Sequence, residues 1–369
     1  MSSLGTFVRA LAVALALAAG AHTERATAQE TSRAPCEITT QERVVAVGDI
    51  HGGYEAFVAI LRDAQLIDRR DRWIGGRAVL VQTGDVLDRG ADSRKALDLL
   101  RRLEGEAARA GGQVHALVGN HELMWLIGDW RYVSAGEYEA FRTATSADLR
   151  DRAWTLFRDQ ARAKARAEDL PFDEGASRKQ FFERVPLGML ELNQSFSADG
   201  EYGRWIRSHP AMVKINGIAY LHGGVSVETA PLGCAGINAA VAKDLAAAVP
   251  MAAAAGAALF SSQESGPLWY RGLAEEPEVE FASQLDQILT SVPATAFVIG
   301  HTVTRDSKIT ARFGGRVIQV DTGMLGGDFY RGGQASALEV KGGNVTAIYR
   351  GGARERIAAP ALEQAALAR

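Results

Sequence analysis

The chain has 369 residues, 47% of them hydrophobic and 23% charged, with 41 basic against 44 acidic side chains. Those values exclude a disordered, collagenous or disulfide-framework chain. A net charge of −3 lacks the dense basic footprint that nucleic-acid binding needs for counterion release.

In chain order, the first feature is a leader pattern. Met1 to Arg9 carry one basic residue and no acid, Ala10 to Ala19 are uninterrupted Ala, Leu and Val, and small-x-small sites follow at Ala19-Gly20-Ala21 and Ala26-Thr27-Ala28. This predicts a secretory signal peptide over residues 1–28 and a secreted or periplasmic protein starting near Gln29, with an uncleaved anchor as the alternative. The apolar run is far short of the roughly 18 residues of a membrane span, and the later apolar stretch from Ala252 to Phe260 is shorter still. No stable membrane span is therefore expected. Export would permit a bridge between Cys36 and Cys234, although two free thiols are equally compatible with the sequence.

Short β-branched runs then recur, each closed by glycine and a polar residue or by histidine. They are Val44 to Val47 before Gly48-Asp49, Ala78 to Val81 before Gly84-Asp85, Val114 to Val118 before Gly119-Asn120, Ile218 to Leu221 before His222, and Ala296 to Ile299 before Gly300-His301. Runs of this kind predict buried strands. Helices are expected between them at Tyr54 to Leu66 and Asp92 to Ala110, the latter stopped by Gly111-Gly112. Alternating strands and helices predict an α/β sheet in layers, parallel in its N-terminal part, with ligands gathered at the strands' carboxyl ends. Arg316 to Val320, Ser336 to Val340 and Val345 to Arg350 read as a closing antiparallel section, the last two joined at Gly342-Gly343-Asn344. From Gly136 onward, Tyr138, Phe141, Leu149, Ala153, Leu156 and Phe157 fall at helical spacing, which predicts a helical insertion over the site, about residues 136–206. The main domain is placed at 43–352 and a tail at 353–369.

The polar strand ends carry the chemistry. Gly48-Asp49-Ile50-His51-Gly52 presents a carboxylate and an imidazole two residues apart, a pair suited to Zn, Mn or Fe. Gly84-Asp85-Val86-Leu87-Asp88-Arg89-Gly90, Gly119-Asn120-His121-Glu122, His222-Gly223-Gly224 and Gly300-His301 follow, and four of the six histidines after residue 28 lie in these motifs. Unrelated structural histidines would not collect in this way. Glu122 reads as a loop brace, His115 as a histidine of an apolar strand and His209 as a loop residue, all outside the site. No Gly-x-x-x-x-Gly-Lys-Ser/Thr and no Gly-x-Ser-x-Gly occurs. Neither cysteine has the arginine six positions later that a cysteine-based phosphatase loop needs, since Glu42 and Ala240 stand there.

This ordered set resembles the calcineurin-like metallophosphoesterases, and within them the phosphoprotein phosphatases. Met124 to Val133 and Pro267-Leu268-Trp269-Tyr270-Arg271-Gly272 resemble the bacterial Shewanella-like branch. The resemblance implies a layered β-sandwich flanked by helices. It implies that Asp49, His51 and Asp85 hold one metal ion while Asp85, Asn120, His222 and His301 hold a second, with Asp85 bridging. Two ions roughly 3.5 to 4 Å apart lower the pKa of a bridging water, so phosphate esters would be hydrolysed by direct attack of a bridging hydroxide. Neutral Asn and His ligands leave about one positive charge for a phosphate dianion. Manganese is expected first, with iron or zinc as alternatives, in divalent or trivalent form.

The resemblance also places His121 as general acid, Asp88 as the carboxylate that orients it, Arg89 and Asn120 on the phosphate, and Arg271 as a second clamp. Trp125, Trp130 and Trp269 are expected to shape the pocket rim together with the insertion. The implied partner is a phosphorylated protein or peptide, or a small phosphate ester. A nucleotide or dinucleoside polyphosphate hydrolase is the alternative, against which Asp88 and Glu122 argue. A catalytically silent binder of phosphorylated ligands would be expected to have lost ligands or the acid, and none is missing.

Overall fold

The computed structural model describes residues 36–249 and 259–360. The leader over residues 1–28, the apolar stretch up to residue 258 and the tail beyond residue 360 lie outside the described residues.

Twelve strands are described. They are β1 (Glu37–Ile38), β2 (Val44–Val47), β3 (Val79–Gln82), β4 (Gln113–Ala116), β5 (Met212–Ile215), β6 (Ile218–Leu221), β7 (Ala296–Ile299), β8 (Thr310–Arg312), β9 (Val317–Gln319), β10 (Ser336–Lys341), β11 (Asn344–Tyr349) and β12 (Arg354–Arg356). They form two six-stranded sheets, ordered β12-β11-β10-β2-β3-β4 and β1-β5-β6-β7-β9-β8. Alternation along the strands explains the layering. Val44, Ala46, Val79 and Val81 of one sheet meet Val213, Ile215, Tyr220, Val298 and Ile318 of the other in a buried cluster. Val45, Val47, Leu80, Leu221, Phe297 and Ile299 point the opposite way, into a second cluster with the helices. The layered sandwich is thus the observed fold.

The outer layers include α1 (Tyr54–Asp63) and α2 (Ser93–Arg109), and the short α3 (Asn120–Ile127) follows β4. The insertion supplies α4 (Ala135–Phe141), α5 (Ser146–Ala167), α6 (Glu174–Arg184), α7 (Met189–Phe196) and α8 (Glu201–Arg207). Trp154, Phe157, Phe181, Val185 and Leu190 give part of it a small core of its own. The remaining α-helices among the described residues are α9 (Gly233–Ala247), α10 (Gly272–Glu275) and α11 (Glu278–Ser291). Among the described residues no helix is long and apolar enough to cross a membrane.

Strands β2, β3 and β4 are parallel, as their pattern predicts, but antiparallel β10 abuts β2. The expected closing section divides. The β10–β11 hairpin turns at Gly342 and Gly343, whereas β9 joins the other sheet, parallel to β7 and antiparallel to β8. Hydrophobic pattern fixes a strand's type, and long-range pairing fixes its sheet. Strand β5 is unpredicted because Lys214 interrupts its apolar run. That lysine is buried, donating to Pro293 O at 2.9 Å and pairing with Glu37. Beyond the expected domain limits, β1 adds an edge beside β5 and β12 an edge beside β11.

Cys36 and Cys234 form a disulfide across 198 positions of sequence. It ties the chain ahead of β1 to the first turn of α9. A bond closing so long a loop removes much unfolded-chain entropy, and losing such a bond costs typically about 2–5 kcal/mol. Cys234→Ser is expected to lower the urea midpoint accordingly, with a steeper slope because the unfolded chain is no longer cross-linked. An unchanged midpoint in oxidised protein would show that the bond contributes nothing.

Candidate metal centre and catalytic pocket

The motif residues lie just past the carboxyl ends of β2, β3, β6 and β7 and in the segment after β4, so strands from both sheets deliver them to one place. His51, Asp85, Asp88, Arg89 and His301 have φ of 48°, 56°, 73°, 68° and 64°. A non-glycine residue in this left-handed region is uncommon, and clusters of such residues mark functional sites. Gly119 is required by close approach, because a Cβ there would lie 2.5 Å from Asp85 N.

Asp85 is the hub. Its Oδ2 lies 3.6 Å from His51 Nε2, 3.7 Å from His121 Nε2 and 3.3 Å from His222 Nε2. Asp49 Oδ2 is 3.8 Å from His51 Nε2, and both Asp49 oxygens face the His301 backbone N–H. Two groups, His51–Asp85–His121 and Asp85–His222–His301, have ligand atoms close enough to hold a metal ion. Asp49, His51, Asp85, Asn120, His222 and His301, predicted from sequence, are therefore gathered in one cluster, with His121 closing the first group as well.

The hydrogen bonds test whether cations fit. His51 Nδ1 lies 2.9 Å from Leu87 O, His222 Nδ1 3.0 Å from Thr83 O, and His301 Nε2 3.2 Å from Trp269 O. Each ring donates its N–H to a carbonyl, which leaves the other nitrogen with a lone pair; this is the usual tautomer lock of a metal-binding histidine. Those lone pairs converge. His222 Nε2 faces Asn120 Oδ1 at 2.8 Å and His301 Nδ1 at 3.0 Å, besides the Asp85 carboxylate. Acceptors packed against acceptors in a buried site repel unless a cation lies among them. The residues fit metal ions.

Burial also holds His51 down at about 3 and His301 at about 2, keeping both imidazoles neutral. Asp49 is raised by burial and by Asp321 and Asp85. For Asp85 burial works upward, but His222 and His121 outweigh it and hold the carboxyl well below its ordinary value.

Beside the cluster, His121 Nδ1 is 2.5 Å from Asp88 Oδ2. Burial opposes the charged imidazole, but Asp85 and Asp88 overcome it and raise its pKa. Arg89 hydrogen-bonds His51 and the Tyr330 hydroxyl, and its guanidinium lies over the Tyr132 and Tyr330 rings at 5.6 and 5.4 Å. Arg271 is exposed and donates to His301 O at 3.0 Å and Thr302 Oγ1 at 2.9 Å, at the lip of the cluster.

Glu122 braces the pocket. Its carboxylate accepts from the backbone N–H groups of Asp85, Val86 and Gly119 at 2.8 to 2.9 Å. His115 lies on β4 within reach of Gln113, and His209 pairs with Glu104; both sit outside the site, as expected. Trp269 borders it, 5.8 Å from the His301 ring. Trp125 is a correction. It is 1% exposed and lies beneath the pocket rather than on its rim, because helical spacing turns it inward.

Three residues escape sequence reasoning. Asp321 is buried, with one oxygen on Gly323 N and the other unpartnered. It heads Asp321-Thr322-Gly323 directly after β9, the same strand-end signal as the other motifs. Tyr132 and Tyr330 carry no such signal. Tyr330 rides on a loop in which Gly326, Gly327 and Gly332 take positive φ.

Glu137, at the start of the insertion, is fully buried. Its Oε1 accepts from Ser93 N at 3.3 Å and its Oε2 has no partner. Burial pushes its pKa up from 4.5 to about 7. A raised carboxyl favours the protonated fold, so its stabilising contribution is full below about pH 4.5 and is lost as pH rises through about 7. Glu137→Gln should match the parent near pH 4.5 and exceed it near pH 8 by about 3 kcal/mol. Urea denaturation at the two pH values checks this, and parallel pH profiles would refute it.

The family model for calcineurin-like phosphoesterase matches residues 42–232. The chain is similar to Shewanella-like protein phosphatase 2 of Arabidopsis thaliana, 31% identical over 290 residues, or 78% of this chain and 72% of that protein. It is also similar to Shewanella-like protein phosphatase 1 of Plasmodium berghei, at 28% identity over 76% of this chain and 67% of that one. Among solved structures, the cold-active protein-tyrosine phosphatase of a psychrophilic Shewanella species superposes with a TM-score of 0.65 at 29% identity, over 88% of this chain and 82% of that one.

Proposed function

Because the chain belongs to the calcineurin-like phosphoesterase family, we propose that the site just described is the catalytic centre of a phosphoprotein phosphatase. The enzyme is a metal-dependent hydrolase of phosphate monoesters. The observation that carries the proposal is the convergence of lone pairs on Asp85, with the His121–Asp88 pair and Arg89 beside it.

Asp49, His51 and Asp85 would hold one ion and Asp85, Asn120, His222 and His301 the other, with manganese the first candidate and iron or zinc the alternatives. When bound, the two ions supply Lewis acidity, activating water and neutralising phosphate oxygens. Arg89 exchanges its Tyr330 partner for phosphate oxygens and clamps them through its planar fork. Arg271 adds a second clamp from the lip, and Asn120 Nδ2, which donates one N–H to Met124 Sδ at 3.8 Å, has its second N–H for a further oxygen. His121, held through Nδ1 by Asp88, turns Nε2 toward the cluster, 3.4 Å from Arg89 Nη2, and would give its proton from there to the departing oxygen once Arg89 has moved onto the phosphate.

Tyr132 and Tyr330 flank this position with aromatic faces, which suits an aryl phosphate. The similarity to a protein-tyrosine phosphatase supports phosphotyrosine in a protein or peptide as the substrate. The dinucleoside polyphosphate hydrolase is not favoured, since two relatives that span most of the chain are named as protein phosphatases.

The leader pattern and the Cys36–Cys234 bond both support export to an oxidising compartment, the periplasm or the exterior.

Hydrolysis of p-nitrophenyl phosphate and a phosphotyrosine peptide, after chelation and metal restoration, tests the function. Metal-restored turnover of both is expected. Turnover of diadenosine tetraphosphate alone would overturn it.

A further inference from the structure

Trp125 stands one helical turn after His121 on α3, and residues four apart on a helix share a face. Both reach Asp88. The indole Nε1–H donates to Asp88 Oδ1 at 2.7 Å, while Asp88 Oδ2 takes His121 Nδ1 at 2.5 Å. Each carboxylate oxygen therefore has its own donor. All three side chains are buried, with Asp88 at 0%, Trp125 at 1% and His121 at 2% exposure.

The indole is itself held by the insertion. Its ring meets Phe196 of α7 edge to face at 4.6 Å. Phe196 stacks on Tyr202 at 5.3 Å and meets Phe141 at 5.9 Å. The Tyr202 hydroxyl donates to Asp98 of α2 at 2.6 Å. An aromatic chain thus runs from the helical insertion to the carboxylate that orients His121.

We propose that Trp125 is a positioning residue that fixes the plane of the Asp88 carboxylate, and that the insertion serves the reaction by holding Trp125. A carboxylate gripped by one donor alone swings about its Cβ–Cγ bond, and the imidazole it orients swings with it. Gripped at both oxygens, it presents His121 Nε2 to the departing oxygen in one orientation. The proposal rests on the reading of His121 as the proton donor.

Trp125→Phe keeps the ring and deletes the donor. The measurement is kcat and KM for substituted phenyl phosphates whose leaving phenols span a range of pKa. A poor leaving group needs the proton, and a good one such as 2,4-dinitrophenolate does not. We expect kcat on phenyl phosphate to fall about tenfold, the size of one buried hydrogen bond, with kcat on 2,4-dinitrophenyl phosphate and both KM values unchanged. Replacing the indole by its benzothiophene isostere, which keeps shape and volume, should give the same split even if the phenylalanine variant folds poorly. An equal fall on both substrates, or no fall on phenyl phosphate, overturns the proposal.

His121→Asn run on the same series separates the two readings. If it discriminates between leaving groups and the Trp125 variants do not, only the positioning role fails. If it does not discriminate, the proton-donor reading fails and the positioning role falls with it.

Discussion

Replacing Asp85 with Asn is expected to lower kcat for p-nitrophenyl phosphate by at least about a thousandfold, since several kcal/mol of charge stabilisation is lost at about 1.4 kcal/mol per decade. One oxygen of this carboxylate faces three imidazoles, at 3.3 to 3.7 Å. An amide keeps the shape but loses the charge that offsets two cations. Asparagine is also the substitution the backbone tolerates, because Asp85 has a φ of 56° and Asn enters that region more readily than other side chains. Glu122 grips the Asp85 and Val86 N–H groups, so the turn should survive. Metal content after desalting, read by plasma mass spectrometry, is expected to fall below one ion per chain. A variant that keeps its metal and its turnover would remove Asp85 from the centre.

His121→Asn is expected to lower kcat on phenyl phosphate by about 10²- to 10⁴-fold, the range of general acid catalysis, while metal content stays at the parent level. The two parts of this outcome decide between two geometries. His121 Nε2 lies near Asp85, within one of the two groups able to hold an ion, whereas its Nδ1 is committed to Asp88. A proton donor gives slow turnover with full metal. A ligand gives loss of metal, and that result would assign the imidazole to the first ion beside His51.

Much of the site is legible in the sequence because its residues sit at strand ends. Asp49, Asp85, His222 and His301 come just after short β-branched runs, and a strand aims the residues beyond its carboxyl end along the sheet. Asn120 and His121 come after a run whose strand stops early, and the Gly119 turn returns them to the same place. Asp321 obeys the same rule but escapes notice because Arg316 to Val320 reads as part of the closing antiparallel section. Once β9 is seen to pair with β7, its carboxyl end joins the others. Which sheet a strand enters depends on contacts far apart in sequence, and the local pattern of Val317–Gln319 is silent on them. Trp125 shows the opposite limit. Its spacing from His121 is plain, yet its burial depends on Phe196, seventy-one positions later.

The metal cluster draws on both sheets. Asp49, His51, Asp85 and Asn120 belong to segments that follow β2, β3 and β4, while His222 and His301 follow β6 and β7. An ion shared by Asp85, His222 and His301 would staple the two halves of the sandwich, much as a rivet joins plates. Folding and metallation are then one linked equilibrium, and conformational stability rises with the logarithm of free metal above its dissociation constant. The apo chain must pack its converging acceptors against one another, so these strand ends are where a bound ion relieves the most repulsion. Metal supply would then act on stability as well as on turnover, and a chelator would lower the unfolding midpoint in the same titration that removes activity.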